Sequence, residues 1–302
     1  MTTATRLVLA GLAVFLLSSP VTAAQEKEAA SAKAAPEKST LRYQFKAGES
    51  IRWQVVHRAK IQTSVSGTTQ TAETLSSSVK LWRVAKVEPD GTATFEHLVE
   101  SVDMRQKLSG RQEVRYNSQT DKKPPLGFEN VAESVGVALS VVTIDPSGKI
   151  IRRERKPVKA ASESEGQITI PLPSKPIAVG EGWSFPYDVD AKLQTGGIKR
   201  VRTLQQFTLE SVKNGVAAIR VSTQILTPID DPAIQAQLIQ RESSGTVRFD
   251  VDAGRVLGQQ MDLDKQVVGF RGPASSLHYT TRFTEELLKK PAETAAKPRE
   301  NK

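Results

Sequence analysis

A long alternation of apolar and polar residues restricts the fold of this chain more than any other feature. Between residues 51 and 62, Ile51, Trp53 and Val55 begin an apolar series that alternates with mostly charged or amide side chains. A period of two is typical of an antiparallel strand with one face on a core and the other towards solvent. Similar β-rich runs recur, separated by turn residues such as Asp90-Gly91. The pattern predicts a mainly β fold of antiparallel strands.

Helical patterns are short and few. Asp231-Pro232, followed by the run 233–241, offers an N-cap residue and a proline for the first turn of a helix. Residues 129–137 indicate a second short helix. A parallel α/β fold needs a crossover helix between successive strands, so that class is not expected. We expect two tandem antiparallel β units with one or two short helices.

The first residues have a pattern that is typical of an export signal. Arg6 precedes an apolar run from Leu7 to Leu17, and small residues at Val21–Ala24 suit a signal peptidase. The run is too short to cross a bilayer, which takes about 20 residues. We therefore expect a cleaved signal peptide over residues 1–23, which places the mature protein in the periplasm or outside the cell with no transmembrane segment.

An internal repeat organises the rest of the sequence. Ala47-Gly48-Glu49-Ser50 resembles Val179-Gly180-Glu181-Gly182, and the turn at Asp145–Ile150 resembles that at Asp252–Val256. The predicted segments are a disordered linker at 24–40, β unit 1 at 41–156, a Pro-rich connection at 157–176, β unit 2 at 177–288 and a disordered tail at 289–302. The pattern leaves open whether the two units form one continuous sheet or two domains.

Local catalytic signatures are missing from the sequence. There is no cysteine, and the three histidines, His57, His97 and His278, are far apart along the chain. The sequence has no phosphate loop, no nucleophile elbow and no His-x-x-x-His spacing, so we predict no catalytic residues, no metal and no cofactor. A cell-wall polymer hydrolase stays open as an alternative, because its carboxylates can come from distant positions.

Aromatic residues on the alternating strands suggest a place for an apolar ligand. A curved antiparallel sheet with a helix across its open face can enclose a cavity. The residues that would line this cavity are Trp53, His57, Trp183, Phe185 and Tyr187. The alternative for each of them is an ordinary place in the core.

Basic residues concentrate between residues 149 and 159. The chain as a whole carries 42 Lys and Arg against 33 Asp and Glu, a formal charge of +9. The candidate patch consists of Lys149, Arg152, Arg153, Arg155, Lys156 and Lys159. It could bind an anionic component of the cell envelope, or it could protect an edge strand from aggregation. Nucleic acid is not an expected partner of an exported protein.

The short motifs resemble those of uncharacterised exported bacterial proteins with duplicated β units. Gly48-Glu49, Gly180-Glu181 and the two Asp-containing turns carry this resemblance. It implies a duplicated β fold and brings no activity with it. A looser likeness, at the level of the fold, is to the curved-sheet carriers that move lipoproteins across a periplasm.

Together these features predict an exported, non-enzymatic binding or envelope-associated protein. The alternative within this class is a periplasmic carrier of an apolar or lipid-like ligand. The oligomeric state stays open.

Overall fold

Strands dominate the computed structural model, which describes residues 37–156 and 168–289. The predicted signal peptide, Lys159, and most of the predicted linker and tail lie outside these ranges. The strands are β1 (Lys38–Ser39), β2 (Ser50–Val65), β3 (Thr68–Val87), β4 (Ala93–Leu108), β5 (Val114–Asn117), β6 (Ala138–Ile144), β7 (Ile150–Arg155), β8 (Ile177–Ala178), β9 (Gly182–Lys192), β10 (Ile198–Lys213), β11 (Val216–Ile225), β12 (Ser244–Asp250), β13 (Arg255–Val268) and β14 (Ser275–Leu287). The helices are α1 (Glu129–Ser134) and α2 (Pro232–Leu238), and α2 continues into a 3₁₀ turn at Ile239–Arg241. The prediction of a mainly β fold with one or two short helices is confirmed.

One antiparallel sheet of 12 strands accounts for nearly all the strands in the described residues. Its order is β7-β6-β4-β3-β2-β14-β13-β12-β11-β10-β9, and β5 pairs with β4 beside this path. Strands from both predicted units therefore belong to a single sheet, with β7 and β9 at its two edges. The short strands β1 and β8 pair with each other separately.

The centre of the sheet joins the first long strand to the last. In the ladder between β2 and β14, Val65 pairs with Ser275 at one end and Trp53 with Leu287 at the other. The inner face of the sheet is defined here as the face that carries Ile51, Trp53 and Val55 on β2. Because side chains alternate along a strand, Glu285 shares this face beside Val55.

The sheet is strongly curved. Helix α2 contacts both β9 and β13, although three strands lie between these two in the sheet. The two edge strands also approach each other: Ile150 of β7 and Phe185 of β9 line one cleft, although nine strands lie between them in the sheet, so the sheet must curl. Asp231 caps α2 by accepting a hydrogen bond from the Ala233 N–H at 2.8 Å, as its sequence predicts. In the part of the chain that is described, no helix has the length and apolarity to cross a membrane.

Two extended segments cross the inner face and are called the straps: the first strap is residues 41–46 and the second strap is residues 168–172. The first strap donates backbone hydrogen bonds from Tyr43 to Pro146 O at 2.8 Å and from Gln44 to Gly254 O at 3.0 Å. It therefore ties together two turns that belong to different halves of the sequence. Burial raises the pKa of the Tyr43 hydroxyl, which contacts the backbone of Ile170 in the second strap.

The two Gly-Glu motifs form turns with the same bonding. Gly48 and Gly180 both have positive φ angles, of 80° and 90°, which favour glycine. Glu49 accepts a hydrogen bond from the backbone N–H of Lys46 at 2.8 Å, and Glu181 accepts one from Ala178 at 2.9 Å. A similar motif therefore makes a similar turn at the start of β2 and just before β9.

Gly148 is a site where an added methyl group should disturb the packing of the straps. A Cβ there would lie 2.5 Å from Tyr43 Cε2 and 2.7 Å from Ile170 O, at a φ of +81°. Gly110 has a similar φ of +71° with open space around it. We expect Gly110→Ala to lower the free energy of unfolding by about 1–2 kcal/mol through backbone strain alone. Gly148→Ala should cost about 1–3 kcal/mol more. Urea unfolding followed by tryptophan fluorescence measures the free energy of unfolding of both variants. Equal losses would show that the straps can shift at Gly148 without an energetic cost.

Candidate functional site

An inner cavity of about 390 Å³ lies between the inner face of the sheet and the two straps. Its aromatic wall consists of Tyr43, Phe45, Trp53, Trp82, Phe207 and Phe283. The polar and charged side chains in the wall include Lys80, His97, Gln205, Arg255, Gln259 and Glu285. The space is therefore mainly apolar, with polar groups at particular points on its wall.

A buried ion pair lies within this wall. Lys80 Nζ contacts Glu285 Oε1, and the two side chains are only 14% and 4% exposed. The other carboxylate oxygen of Glu285 accepts a hydrogen bond from Gln259 Nε2 at 2.7 Å. The ammonium group also lies 4.4 Å from the ring centre of Trp53 and 4.8 Å from that of Trp82. A carboxylate and two aromatic faces thus stabilise the charge of Lys80.

A second ion pair brings one Gly-Glu turn to the same wall. Arg255 Nη1 lies 3.2 Å from Glu49 Oε2, and both side chains are largely buried. The other oxygen of Glu49 holds the turn described above. Each charged side chain named in the cavity wall, Lys80, Arg255 and Glu285, therefore has a partner of opposite charge within the fold.

Three polar atoms of the cavity wall have no hydrogen-bond partner among the described residues: Trp82 Nε1, His97 Nδ1 and Gln205 Oε1. Trp82 and His97 are directly opposite each other in the ladder between β3 and β4. Burial, with smaller contributions from the charges of Lys80 and Arg153, lowers the pKa of His97 to about 4. The imidazole is therefore neutral near pH 7. Buried polar groups without partners are rare, and they often mark a place where a ligand or water binds.

An outer cleft of about 1000 Å³ adjoins the inner cavity. Gly148, Lys149 and Ile150 line it from the start of edge strand β7, and residues 185 and 187–190 line it from edge strand β9. The outer cleft thus lies between the two edges of the curved sheet. Four residues, Thr169, Gln205, Thr223 and Ser243, line both spaces.

The predicted apolar-site residues fall in three places. Trp53 lies in the wall of the inner cavity, where its indole N–H donates to Val256 O at 3.0 Å. Phe185 and Tyr187 line the outer cleft. Burial raises the pKa of the Tyr187 hydroxyl.

Trp183 and His57 lie beside these spaces without lining either of them. Trp183 stacks on Phe207 at 5.2 Å between ring centres and donates its N–H to Pro171 O at 2.7 Å. The Nε2 of His57 lies 2.7 Å from Thr281 Oγ1, and burial lowers the pKa of this imidazole.

The described residues of the predicted basic patch lie on or beside edge strand β7. Arg152 and Lys156 both pair with Glu154, at 3.7 and 2.8 Å, on the exposed side of the strand. Arg153 pairs with Val142 in the sheet and so shares the inner face, with its charge acting on His97. Lys149 lines the outer cleft, and Arg155 ends the strand.

The histidines form no common site in the described part of the chain. His278 Nε2 contacts Asp264 Oδ1 at 2.6 Å on an exposed face, whereas His57 contacts a threonine and His97 lies in the cavity wall. No group of three or more His, Asp or Glu side chains within the described ranges could hold a metal ion.

Comparisons with known proteins find no family for this chain. No protein-family model matches it, and no curated protein sequence does. Among solved structures, one described as lipid–protein interactions in lipovitellin matches 82% of this chain and 26% of its own, at 11% identity and a TM-score of 0.41. A structure of DynF from the dynemicin biosynthesis pathway of Micromonospora chersina matches 86% of this chain and 88% of its own, at 9% identity and a TM-score of 0.23. This chain thus spans about a quarter of the lipovitellin chain.

Sequence reasoning missed the buried ion pair, because its partners are 205 residues apart. A signal was nevertheless present on β14, where Glu285 stands between Phe283 and Leu287 in an otherwise apolar alternation. A carboxylate at an inward position needs a buried partner of opposite charge. The alternation alone does not identify Lys80 as that partner, because it does not show that β3 lies two strands away from β14 in the sheet.

Removing one partner of the buried pair should be far more damaging than breaking an exposed pair. Lys80→Met leaves the Glu285 carboxylate buried without its cation, so we expect the free energy of unfolding to fall by about 3–5 kcal/mol. Lys60→Met is the matched control, because Lys60 and Glu73 are 3.3 Å apart and about half exposed. Lys60→Met should lower the free energy of unfolding by less than about 1 kcal/mol. Combining Lys80→Met with Glu285→Leu should recover most of the stability that Lys80→Met loses. Urea unfolding of the two single variants and the double variant measures these free energies of unfolding. Similar costs for Lys80→Met and Lys60→Met would contradict a stabilising role for the buried pair.

The pKa of His97 makes stability depend on pH. The unfolded chain binds a proton on this imidazole below about pH 6.5, whereas the folded chain does so only below about pH 4. The free energy of unfolding therefore decreases as the pH falls through this window, by at most about 3 kcal/mol for this group. His97→Phe removes the group, so we expect the variant to lose less stability than the wild type between about pH 6.5 and about pH 4 in urea titrations. Parallel losses in both proteins would rule out this origin.

Proposed function

We propose that the protein is a non-enzymatic binding protein that carries an apolar or amphipathic small molecule in the inner cavity. The single observation that carries this proposal is the mainly apolar space of about 390 Å³ beneath the straps, next to the outer cleft at the edges of the sheet. Small-molecule sites in proteins are concave and mostly apolar, with a few polar groups that fix the orientation of the ligand.

The width of the sheet gives a physical reason for the space. Barrels of about eight strands are just filled by their own side chains, and wider ones leave room inside. Here the sheet path of the described residues contains 11 strands, and it curls around an interior that large aromatic side chains fill only in part. Residues of both straps, among them Tyr43 and Ile170, line the space on the side away from the sheet. An apolar ligand would replace water in this space and gain the free energy of its own burial.

The outer cleft is the route that we propose for entry and exit. It lies between β7 and β9, the strands at which the sheet ends, so no ladder of hydrogen bonds has to break when a ligand passes. Its wall combines Phe185 and Tyr187 with Asp188, Asp190 and Arg200. Such a mixed wall suits the passage of a molecule with an apolar body and a polar end.

The cellular setting is part of the same proposal. The signal-like segment at 1–23 would direct the protein out of the cytoplasm, and the cations of β7 beside the outer cleft would orient it towards an anionic envelope surface. Arg152 is mostly exposed there, although it pairs with Glu154 at a distance of 3.7 Å. A carrier that collects its ligand from a membrane would use such an edge.

Release of the bound molecule tests the proposal directly. The mature protein would be purified gently without detergent, weighed by native mass spectrometry, and then denatured and extracted with organic solvent. We expect a small amphipathic molecule in near-stoichiometric amount and a matching excess mass in the native spectrum. Extraction of nothing, together with failure to bind the probe described next, would refute the proposal.

Filling the cavity should abolish binding of an apolar probe. Val55 lines the inner cavity, whereas Val56 points to the opposite face of the same strand. We expect Val55→Phe to weaken the binding of the neutral fluorescent probe N-phenylnaphthylamine by roughly tenfold or more, because the new ring occupies the site. Val56→Phe should bind the probe like the wild type. Equal binding by both variants would place the probe elsewhere on the protein.

A further inference from the structure

The polar atoms of the cavity wall restrict the chemistry of the ligand. Resting on the function proposed above, we propose that the inner cavity takes an uncharged amphipathic molecule, whose polar end is a carbonyl or hydroxyl oxygen held by Trp82 Nε1 and His97 Nδ1. Ligands of this class are neutral acyl esters, alcohols and similar molecules with a short apolar body.

The indole N–H of Trp82 is a donor that lacks an acceptor. An indole N–H can only donate, and Trp82 Nε1 is buried in the cavity wall with no acceptor among the described residues. The other two indole N–H groups of the chain both have an acceptor, namely Val256 O for Trp53 and Pro171 O for Trp183. A ligand oxygen would supply the acceptor that Trp82 lacks.

His97 adds a second contact beside the first. His97 is directly opposite Trp82 in the β3–β4 ladder. Its Nδ1 atom is likewise buried, with no hydrogen-bond partner among the described residues. A neutral imidazole places its single proton on either nitrogen, so Nδ1 can donate to a carbonyl or accept from a hydroxyl. The two residues are thus paired across one ladder, and a small oxygen-bearing group, such as an alcohol or an ester, would suit both nitrogens.

The charges in the wall argue against an ionic ligand. Lys80 contacts Glu285, which also accepts from Gln259, and Arg255 pairs with Glu49. A carboxylate ligand would have to compete with Glu285 for the ammonium group or remain buried without a cation. A cationic ligand would meet the corresponding cost, because both carboxylates already have partners. The cations of β7 do not line the inner cavity.

Size and a third polar atom describe the rest of the ligand. With about 30 Å³ for each water-sized group, a cavity of about 390 Å³ has room for roughly a dozen such groups. Gln205 Oε1, also without a partner, lies where the inner cavity adjoins the outer cleft. A longer ligand would extend past Gln205 into the outer cleft, where a second hydroxyl could donate to this oxygen.

Chain-matched alcohol and acid distinguish the proposed ligand class. Decanol and decanoate would compete with N-phenylnaphthylamine for the full mature protein at neutral pH, where decanoate is ionised. We expect decanol to displace the probe at a concentration roughly tenfold or more below that of decanoate. If decanoate displaces the probe equally well or better, the inference of an uncharged polar end is overturned.

Variants test whether Trp82 and His97 hold the polar end. Trp82→Phe keeps an aromatic ring but removes the N–H, so the affinity for decanol should fall roughly three- to tenfold. Trp183→Phe is the control for the loss of an indole N–H outside the cavity wall: it breaks a bond to Pro171 O in the second strap, so its affinity for decanol should fall less than that of Trp82→Phe. His97→Phe gives an independent measurement if Trp82→Phe fails to fold, with a similar loss expected. Unchanged decanol affinity in a folded Trp82→Phe or His97→Phe variant would overturn the assignment.

The outcomes separate this inference from the proposed function. If the probe binds and Val55→Phe abolishes its binding, but decanol has no advantage over decanoate, the carrier function stands and the ligand class proposed here is wrong. If neither probe nor decanol binds the wild-type protein and denaturation releases no small molecule, both proposals fail together.

Discussion

The ladder between β2 and β14 joins the first long strand of the chain to the last, and the inner cavity depends on it. Without this pairing, the strands on either side would form two separate sheets, each with an exposed edge at the present centre. The ladder also places Glu285 beside Val55, one strand away from Lys80 on β3. The position of Glu285 near Lys80 thus follows from one set of backbone hydrogen bonds. The first strap completes the arrangement by bonding to turns in both halves of the sequence.

The interior combines two requirements that oppose each other. Large aromatic rings, such as Trp82 stacked on Phe95 at 4.3 Å, supply the apolar contact that stabilises the fold. The same wall holds a buried ion pair and several polar atoms without partners among the described residues, and both cost free energy in an apolar surrounding. An all-apolar wall of similar volume would be at least as stable. These polar groups are the features of the interior on which the proposed ligand class rests.

Local patterns in the sequence were sufficient for the elements of the fold, but long-range placement was not. The alternation from Ile51 correctly indicated β2, and Asp231-Pro232 correctly indicated the start of α2, because both signals depend on near neighbours. The sequence predicted only part of the candidate site. Trp53 does line the cavity, yet nothing local shows that Lys80 lies beside it, since the position of a strand within a sheet depends on pairings between distant segments. The internal repeat and the signal peptide stay predictions.

The position of β14 also has a consequence for how the chain folds. Hairpins such as β10–β11 can form early, since their strands are close in sequence, but the contact between His57 and Thr281 spans 224 residues. Loop-closure entropy makes such distant pairings slow to form. The last strand must therefore be available before the sheet is continuous, and the interior remains open to water until then. A chain that emerges N-terminus first during synthesis would thus complete the wall of the inner cavity only after β14 has become available.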